Sequence, residues 1–190
     1  EEARQPRNSD AEARARAELE IAGATAEARG DVAAIVQVGW RYDTGTGVTR
    51  DYVRAREWYE KAAARNSPEA MYNLGVLYSN GRGVAVDHSK AREWYERGAA
   101  RGNADAMWGL GSIYDLALGV PQSYATARRW YEQAAEKGQV DAMLNLAILY
   151  ENGRGVQASC RTALQWYRRS AERGSEKAKA YVPVIERSCR

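Results

Sequence analysis

The chain has 190 residues, a net charge of +3, and apolar residues (45%) that are scattered along the sequence. This length allows one domain or one short repeat array, and no run of about eighteen apolar residues is present that could insert into a membrane. The small net charge gives no reason to expect a nucleic-acid partner, which requires a concentrated basic face. One His and two Cys are too few for a His- or Cys-rich metal site. We therefore expect neither a metal nor another cofactor.

The first thirty residues are predicted to contain an arm and one helix. Residues 1–9 are polar and are expected to form a disordered arm. Residues 10–30 are rich in Ala, Glu and Arg and are expected to form an N-terminal capping helix. The segment 26–30 aligns with 62–66, which indicates that this helix is a degenerate copy of a later one.

A period of thirty-six residues organises the rest of the chain. Trp-Tyr pairs recur at this spacing without insertion or deletion, and Ala, Gly and Tyr positions keep the same register. The resulting units are 31–66, 67–102, 103–138 and 139–174, which together span 31–174. The Trp-Tyr pairs begin at Trp58, Trp94, Trp130 and Trp166. Because a ring that recurs once per repeat marks a helical seam, we assign these tryptophans to the core.

Each unit is predicted to be a helical hairpin. In the second unit Ala70, Leu74 and Tyr78 lie on one stripe of an α-helix, helix A, and the Trp-Tyr pair marks a second helix, helix B. Gly81 and Gly83 allow positive φ where the chain reverses between them. Residues suited to cap the start of helix B are Asp51, Asp87, Ser123 and Ser159. Residues suited to a left-handed conformation at its end are Asn66, Gly102, Gly138 and Gly174.

A single hairpin of this size cannot bury its own apolar stripe, so the hairpins must stack into an all-α solenoid. Residues 175–190 are expected to form a C-terminal capping helix, with Ala178 and Val182 in phase with helix A. Pro183 is expected to kink or split that helix. Glycine within helix A, as at Gly75, predicts close approach of a neighbouring helix, since it costs about 1 kcal/mol against Ala.

The sequence resembles the Sel-one-like repeat family, a relative of the tetratricopeptide repeat. The residues that carry the resemblance are Ala70–Tyr78, Gly81–Val84, Asp87, Lys90-Ala91, Trp94-Tyr95 and Gly102. The resemblance implies a right-handed α/α superhelix of four 36-residue repeats, often bacterial, that holds a peptide or protein on its concave face. The third unit departs from the pattern, because residues 115–119 replace the Gly-x-Gly loop. Its turn is expected to have a different shape and to expose two leucines.

The concave-facing positions of the A helices form the predicted binding groove, if tetratricopeptide geometry holds. Trp40 and Trp108 lie outside the Trp-Tyr register, and aromatic anchors within a polar rim are typical of interface hot spots. Six acids and no base on this stripe favour a basic or amide-rich ligand. The alternative is that both tryptophans pack against neighbouring helices. The predicted lining residues are Val36, Trp40, Asp43, Glu69, Tyr72, Val76, Asn80, Asp105, Trp108, Ser112, Asp115, Asp141, Leu144, Ile148 and Glu151.

The two cysteines are placed where they could form a disulfide. Cys160 precedes Gly174 by fourteen residues and Cys189 follows it by fifteen. In an antiparallel hairpin the axial mismatch is therefore about 1.5 Å. Two unrelated thiols are the alternative. A bridge would favour a periplasmic or secreted setting over the cytoplasm.

Recognisable catalytic motifs such as Ser-x-x-Lys, His-Glu-x-x-His and Walker A are missing from the sequence. We therefore expect a non-enzymatic scaffold for a protein or peptide partner. Weak head-to-tail self-association of a basic C-terminal end with an acidic N-terminal end is a further alternative. Cysteine-rich relatives of the family are associated with β-lactam or peptidoglycan binding or hydrolysis, which is the alternative function. Those relatives carry a Cys pair in each repeat, whereas this chain has two Cys in all.

Overall fold

A computed structural model describes residues 6–189, and these form ten α-helices and no β-strand. By register α2, α4, α6 and α8 are A helices, α3, α5, α7 and α9 are B helices, and α10 continues the A register. Their bounds are α1 Pro6–Arg29, α2 Val32–Thr44, α3 Tyr52–Ala64, α4 Pro68–Asn80, α5 His88–Ala100, α6 Ala104–Asp115, α7 Tyr124–Glu136, α8 Val140–Asn152, α9 Cys160–Glu172 and α10 Glu176–Ser188.

The chain divides into two compact units, Glu1–Trp94 (unit 1) and Tyr95–Arg190 (unit 2). In unit 1 the core contains Ile35, Leu74 and Trp58, with the half-buried Trp94 packed against it. In unit 2 a core cluster around Ala147 and Tyr167 is covered by the half-buried Trp166, and Trp130 is also half-buried. The assignment of the Trp-Tyr tryptophans to the core is therefore right for Trp58, while the other three sit at the core margin.

Side-chain caps begin the B helices at the predicted positions. Asp51 Oδ1 accepts the Arg54 N–H at 3.0 Å, and Asp87 Oδ1 accepts the Lys90 N–H at 2.9 Å. Ser123 and Ser159 do the same through Oγ, each at 3.2 Å. Each such cap stabilises its helix by about 1 kcal/mol, so the repeat fixes where every B helix starts.

The turns between A and B helices place one residue in the left-handed region directly after helix A. Gly81 and Gly153 hold this position with φ of 66° and 65°. In the third repeat Ala117 takes it with φ 56°, and the Leu118 N–H donates to the Ile113 carbonyl at 2.9 Å as in the sister turns. The third turn differs at the helix end, because α6 stops one residue earlier than α4 and α8 and has Leu116 as its C-cap with φ −98°, while Ala117 adopts the glycine conformation. Of its two leucines, Leu116 is 63% exposed and Leu118 is half-buried.

Glycine in helix A receives the tyrosine of helix B. A Cβ added at Gly39 would lie 2.7 Å from the ring of Tyr59, and one added at Gly111 would overlap the ring of Tyr131. Real Cβ atoms do not approach other atoms so closely, so a side chain at either position would displace the ring. The predicted close approach of a neighbouring helix is confirmed at these two positions.

The two ends of the chain differ from their sequence-based predictions. Helix α1 begins at Pro6, since proline suits the first turn of a helix. Residues 6–9 of the predicted disordered arm are therefore helical, and residues 1–5 lie outside the described residues. Helix α10 continues through Pro183 without interruption. Because Pro183 is exposed, water can solvate the carbonyl that loses its helical hydrogen bond.

Helix α10 is fastened to α9 by several contacts. Cys160 and Cys189 are joined by a disulfide with their Cα atoms 5.6 Å apart. The rings of Tyr167 and Tyr181 stack with centroids 5.4 Å apart. Arg168 also bonds Glu186 at 2.6 Å. These contacts fix the position of the last A-type helix within unit 2.

Candidate functional site on the A helices

The candidate site is the A-face, which we define as the predicted lining positions of the A helices; unit 1 and unit 2 each carry one. In unit 1 Trp40 is 43% exposed, and Tyr72 and Val76 are half-buried. Val36, by contrast, is 2% exposed and belongs to the core. Val36 is therefore removed from the set of residues that a ligand could contact, because neighbouring helices cover it.

In unit 2 the A-face is formed by α6 and α8. Ser112 and Ile148 are half-buried, while Leu144 is 7% exposed and lies in the core cluster. Trp108 is half-buried, and its buried indole N–H has no hydrogen-bond partner among the residues described here. Leu144 is thus a packing residue, and Trp108 combines a packing contribution with a partly open surface.

The acid near the end of helix A is held by the tyrosine of helix B. The hydroxyl of Tyr131 donates to Asp115 at 3.1 Å, and that of Tyr167 donates to Glu151 at 2.6 Å. Burial is the main cause that raises the pKa of Tyr131 and of Tyr167 above the ordinary value. The tyrosines remain neutral donors at physiological pH, so the two carboxylates are fixed in place.

Asp43 of unit 1 has the same partner and an additional cation. The Tyr59 hydroxyl lies 3.5 Å from Asp43 Oδ2, and the Arg82 guanidinium lies 3.7 Å from Oδ1. Burial raises the pKa of the Asp43 carboxyl, while Arg82 acts in the opposite direction. Since Arg82 compensates its charge, Asp43 contributes less to an acidic surface than the sequence suggested.

The first-turn acids of α4, α6 and α8 are open to a ligand, whereas α2 has no acid in its first turn. Glu69, Asp105 and Asp141 are exposed and share one register. Carboxylates in this position are also favoured by the helix dipole. Gln139 donates to Asp105 Oδ1 at 3.3 Å. Helices α6 and α8 contain no Lys or Arg, so these carboxylates give the A-face of unit 2 a negative sign.

The sequence predicted that Leu116 is exposed, but Leu116 was not among the predicted lining residues, and the structure adds it to the A-face. Its register partners bond back to their own helix: Thr44 to the Trp40 carbonyl, Asn80 to Val76 and Asn152 to Ile148, each at 2.9 Å. Leu116 has no polar group to do this, and it is 63% exposed. The sequence indicates this difference, because Leu116 is the one apolar residue at a position that Thr44, Asn80 and Asn152 hold in the other repeats.

Other features of the described residues lie away from the A-face. A cavity of about 290 Å³ opens in unit 1 beside Glu12, Arg16, Tyr42 and Asp51. Among residues 6–189 no group of three or more His, Cys, Asp or Glu side chains is arranged to hold a metal ion. None of the helices in this range has the length and apolarity required to cross a membrane.

Antiparallel helix pairs repeated in register define the class of α-solenoid repeat proteins. The chain belongs to the Sel1 repeat family, whose model matches residues 32–67, 68–103, 104–139 and 140–175. This confirms the all-α fold of four repeats, and members of the family commonly serve as protein-interaction scaffolds.

Solved structures share this fold. A crystal structure of c5321, described as a protective antigen of uropathogenic Escherichia coli strains with an SLR fold, is 37% identical with a TM-score of 0.77, over 84% of this chain and 34% of that one. A Sel1 repeat protein from Oxalobacter formigenes is 35% identical with a TM-score of 0.72, over 77% and 60%. Helicobacter pylori cysteine rich protein B is 21% identical with a TM-score of 0.56, over 69% and 94%, and shows the fold alone.

The chain therefore spans about a third of the first of these proteins and three fifths of the second. No curated protein sequence matches the chain.

Proposed function

We propose that the chain is a non-enzymatic scaffold that binds a peptide or protein segment along its A-faces. The observation that carries the proposal is the pair of exposed apolar anchors, Trp40 at 43% and Leu116 at 63%. Neither residue is required by the repeat, since other residue types hold both positions in the sister repeats. Exposed apolar side chains inside a polar rim are typical of interface hot spots.

The charge of the surface favours a basic or amide-rich partner. The first-turn acids Glu69, Asp105 and Asp141 are exposed on the A helices, and charge complementarity at an interface selects partners and accelerates their association. The Cys160–Cys189 pair supports an oxidising compartment, periplasmic or extracellular, over the cytoplasm.

The alternative function, binding or hydrolysis of peptidoglycan or β-lactams, has weaker support. Likeness to Helicobacter pylori cysteine rich protein B at 21% identity concerns the fold alone. The chain has one Cys pair, which joins α9 to α10. Nitrocefin turnover and peptidoglycan pull-down test this alternative directly, and activity in either assay would favour it over the scaffold.

The decisive experiment selects peptides from a random dodecamer phage library on the purified chain and measures their affinity by fluorescence anisotropy. We expect Trp40→Ala to weaken peptides bound by unit 1, and Leu116→Asn to weaken peptides bound by unit 2, at least tenfold in each case, in the range of a hot-spot residue. Leu116→Asn introduces the residue of the second and fourth repeats, so its melting temperature should not fall.

The matched control is Val53→Ser, because Val53 is 44% exposed on a B helix and Ser89 holds its register position. This variant should bind like the wild type. Selected peptides that bind all three variants with wild-type affinity would refute the A-face as the binding surface. Trp108→Ala is less suitable as a test, because the half-buried ring also contributes to packing.

A further inference from the structure

Helix α10 extends the register of the A-face of unit 2 beyond α6 and α8, and we include its matching positions in the A-face from here on; the charges at these positions are reversed. The first-turn position reads Asp105, Asp141 and then Lys177 through α6, α8 and α10. The position near the helix end reads Asp115, Glu151 and then Arg187. Both charged positions of the repeat therefore change sign in the same helix.

The two cations of α10 are available to a partner. Its two acids are already compensated, since Glu176 accepts from Lys179 at 2.7 Å and Glu186 accepts from Arg168 at 2.6 Å. Lys177 and Arg187 are exposed, and within residues 6–189 neither makes an ion pair. Arg187 only donates to the Pro183 carbonyl, at 3.1 Å.

Lys177 is the more informative of the two, because it contradicts a local rule. It lies in the first turn of α10, where the helix dipole disfavours a cation and where α6 and α8 have Asp. A residue that breaks local preference without a partner in its own protein indicates selection for another purpose. Arg187, near the C-terminus of the helix, satisfies the dipole and carries less information.

Apolar side chains follow the first-turn charges of α8 and α10 seven residues further along each helix, about 10 Å along its axis. The position of Ser112 and Ile148 is Val184 in α10, which is 47% exposed. Ile148 is half-buried and packs against the same core cluster that contains Ile185. The disulfide and the Tyr167–Tyr181 stack hold α10 on α9, so the basic part has a fixed position in unit 2.

We propose that the A-face of unit 2 binds a bipolar peptide segment, in which one flank is basic, the centre is apolar and the other flank is acidic. The basic flank lies against Asp105 and Asp141 and the acidic flank lies against Lys177, while a long apolar side chain at the centre extends along the helices towards Ile148 and Val184. This inference rests on the proposed function and narrows its ligand, since uniformly basic segments would meet repulsion at α10. Complementary charges also fix the direction in which the segment lies.

The test repeats the random dodecamer selection with three baits: the full wild-type chain, Lys177→Asp and Lys179→Asp. The two variants have the same charge change on the same helix, but side chains two residues apart on an α-helix point about 160° apart. Lys177→Asp also restores the residue of the sister repeats, so the fold should tolerate it. We expect wild-type selections to carry Lys or Arg on one side of an apolar residue and Asp or Glu on the other.

Lys177→Asp should weaken the selected wild-type peptide about fivefold to tenfold, as expected for reversing one exposed ion pair, and should select peptides that are basic on both flanks. Lys179→Asp should change the affinity less than about twofold. Uniformly basic wild-type selections, or equal effects of the two variants, would overturn the bipolar ligand and leave the scaffold proposal standing. A selection in which no bait enriches any peptide would overturn both.

Discussion

Replacing Ala117 with glycine is expected to stabilise unit 2. Ala117 has φ of 56°, in the region where an L-residue with a Cβ is less stable by about 1–2 kcal/mol. Glycine removes this strain but increases the entropy of the unfolded chain, which costs about 0.4–1 kcal/mol. The difference predicts a gain of about 0.5–1 kcal/mol, which corresponds to a rise in melting temperature of about 1–4 °C for a chain of this size.

The control for this prediction is Gly153→Ala, which makes the opposite change at the same turn position of the fourth repeat. Gly153 has φ of 65°, and an added Cβ would lie 3.2 Å from that of Ala158. Thermal unfolding followed by far-ultraviolet circular dichroism should show a higher midpoint for Ala117→Gly and a lower one for Gly153→Ala. A lower midpoint for Ala117→Gly would refute the assignment of a strained left-handed residue to this turn.

Three further perturbations test the packing, the buried tyrosines and the disulfide. Gly111→Ala should destabilise unit 2 by about 1–3 kcal/mol through overpacking against the tyrosine ring. Adding Asp115→Glu should restore part of the free energy of unfolding measured in urea, because the fourth repeat has this Ala and Glu combination. Additive effects of the two substitutions would contradict this prediction. Burial raises the pKa of Tyr42 to about 12, so its contribution to stability is full below pH 10 and declines as the pH rises toward 12; unfolding midpoints across this range should fall less steeply for Tyr42→Phe, and equal slopes would exclude the effect. Replacing Cys160 and Cys189 with Ser should lower the free energy of unfolding by about 3 kcal/mol, measured beside the non-reducing intact mass; equal stability of the double variant would contradict a stabilising bridge.

The fold could be predicted from the sequence because four copies of one pattern report on each structural position. A capping residue at position 51 alone is a weak indication of where a helix starts. Capping residues at 51, 87, 123 and 159 together locate the start of every B helix. The same redundancy located the glycines that admit tyrosine rings. The prediction that Pro183 splits its helix is wrong, because a single residue departs from the pattern and the surrounding helix still forms.

The candidate site was harder to predict because exposure depends on neighbours that lie far away in sequence. Val36 and Leu144 occupy outward register positions, yet helices on either side cover them. The pairing of Asp43 with Arg82 joins two repeats, so inspection of one helix cannot reveal it. Leu116 shows the opposite case, since comparison of sister positions identifies it without any coordinates.

In the sequence the acids of the A helices form one stripe, but the structure divides them into helix-end acids that bond to core tyrosines and first-turn acids that are exposed. Asp115 and Glu151 accept hydrogen bonds from core tyrosines. The packing of these tyrosines therefore explains why both positions carry a negative charge. The pairing of Gly111 with Asp115, and of Ala147 with Glu151, fits this role, because a longer acid accompanies the larger residue beneath the ring. Among the first-turn acids, Asp105 accepts only a long hydrogen bond from Gln139, at 3.3 Å, and Asp141 is exposed. The proposed selectivity for ligand charge therefore rests on the first turns, where Lys177 replaces Asp.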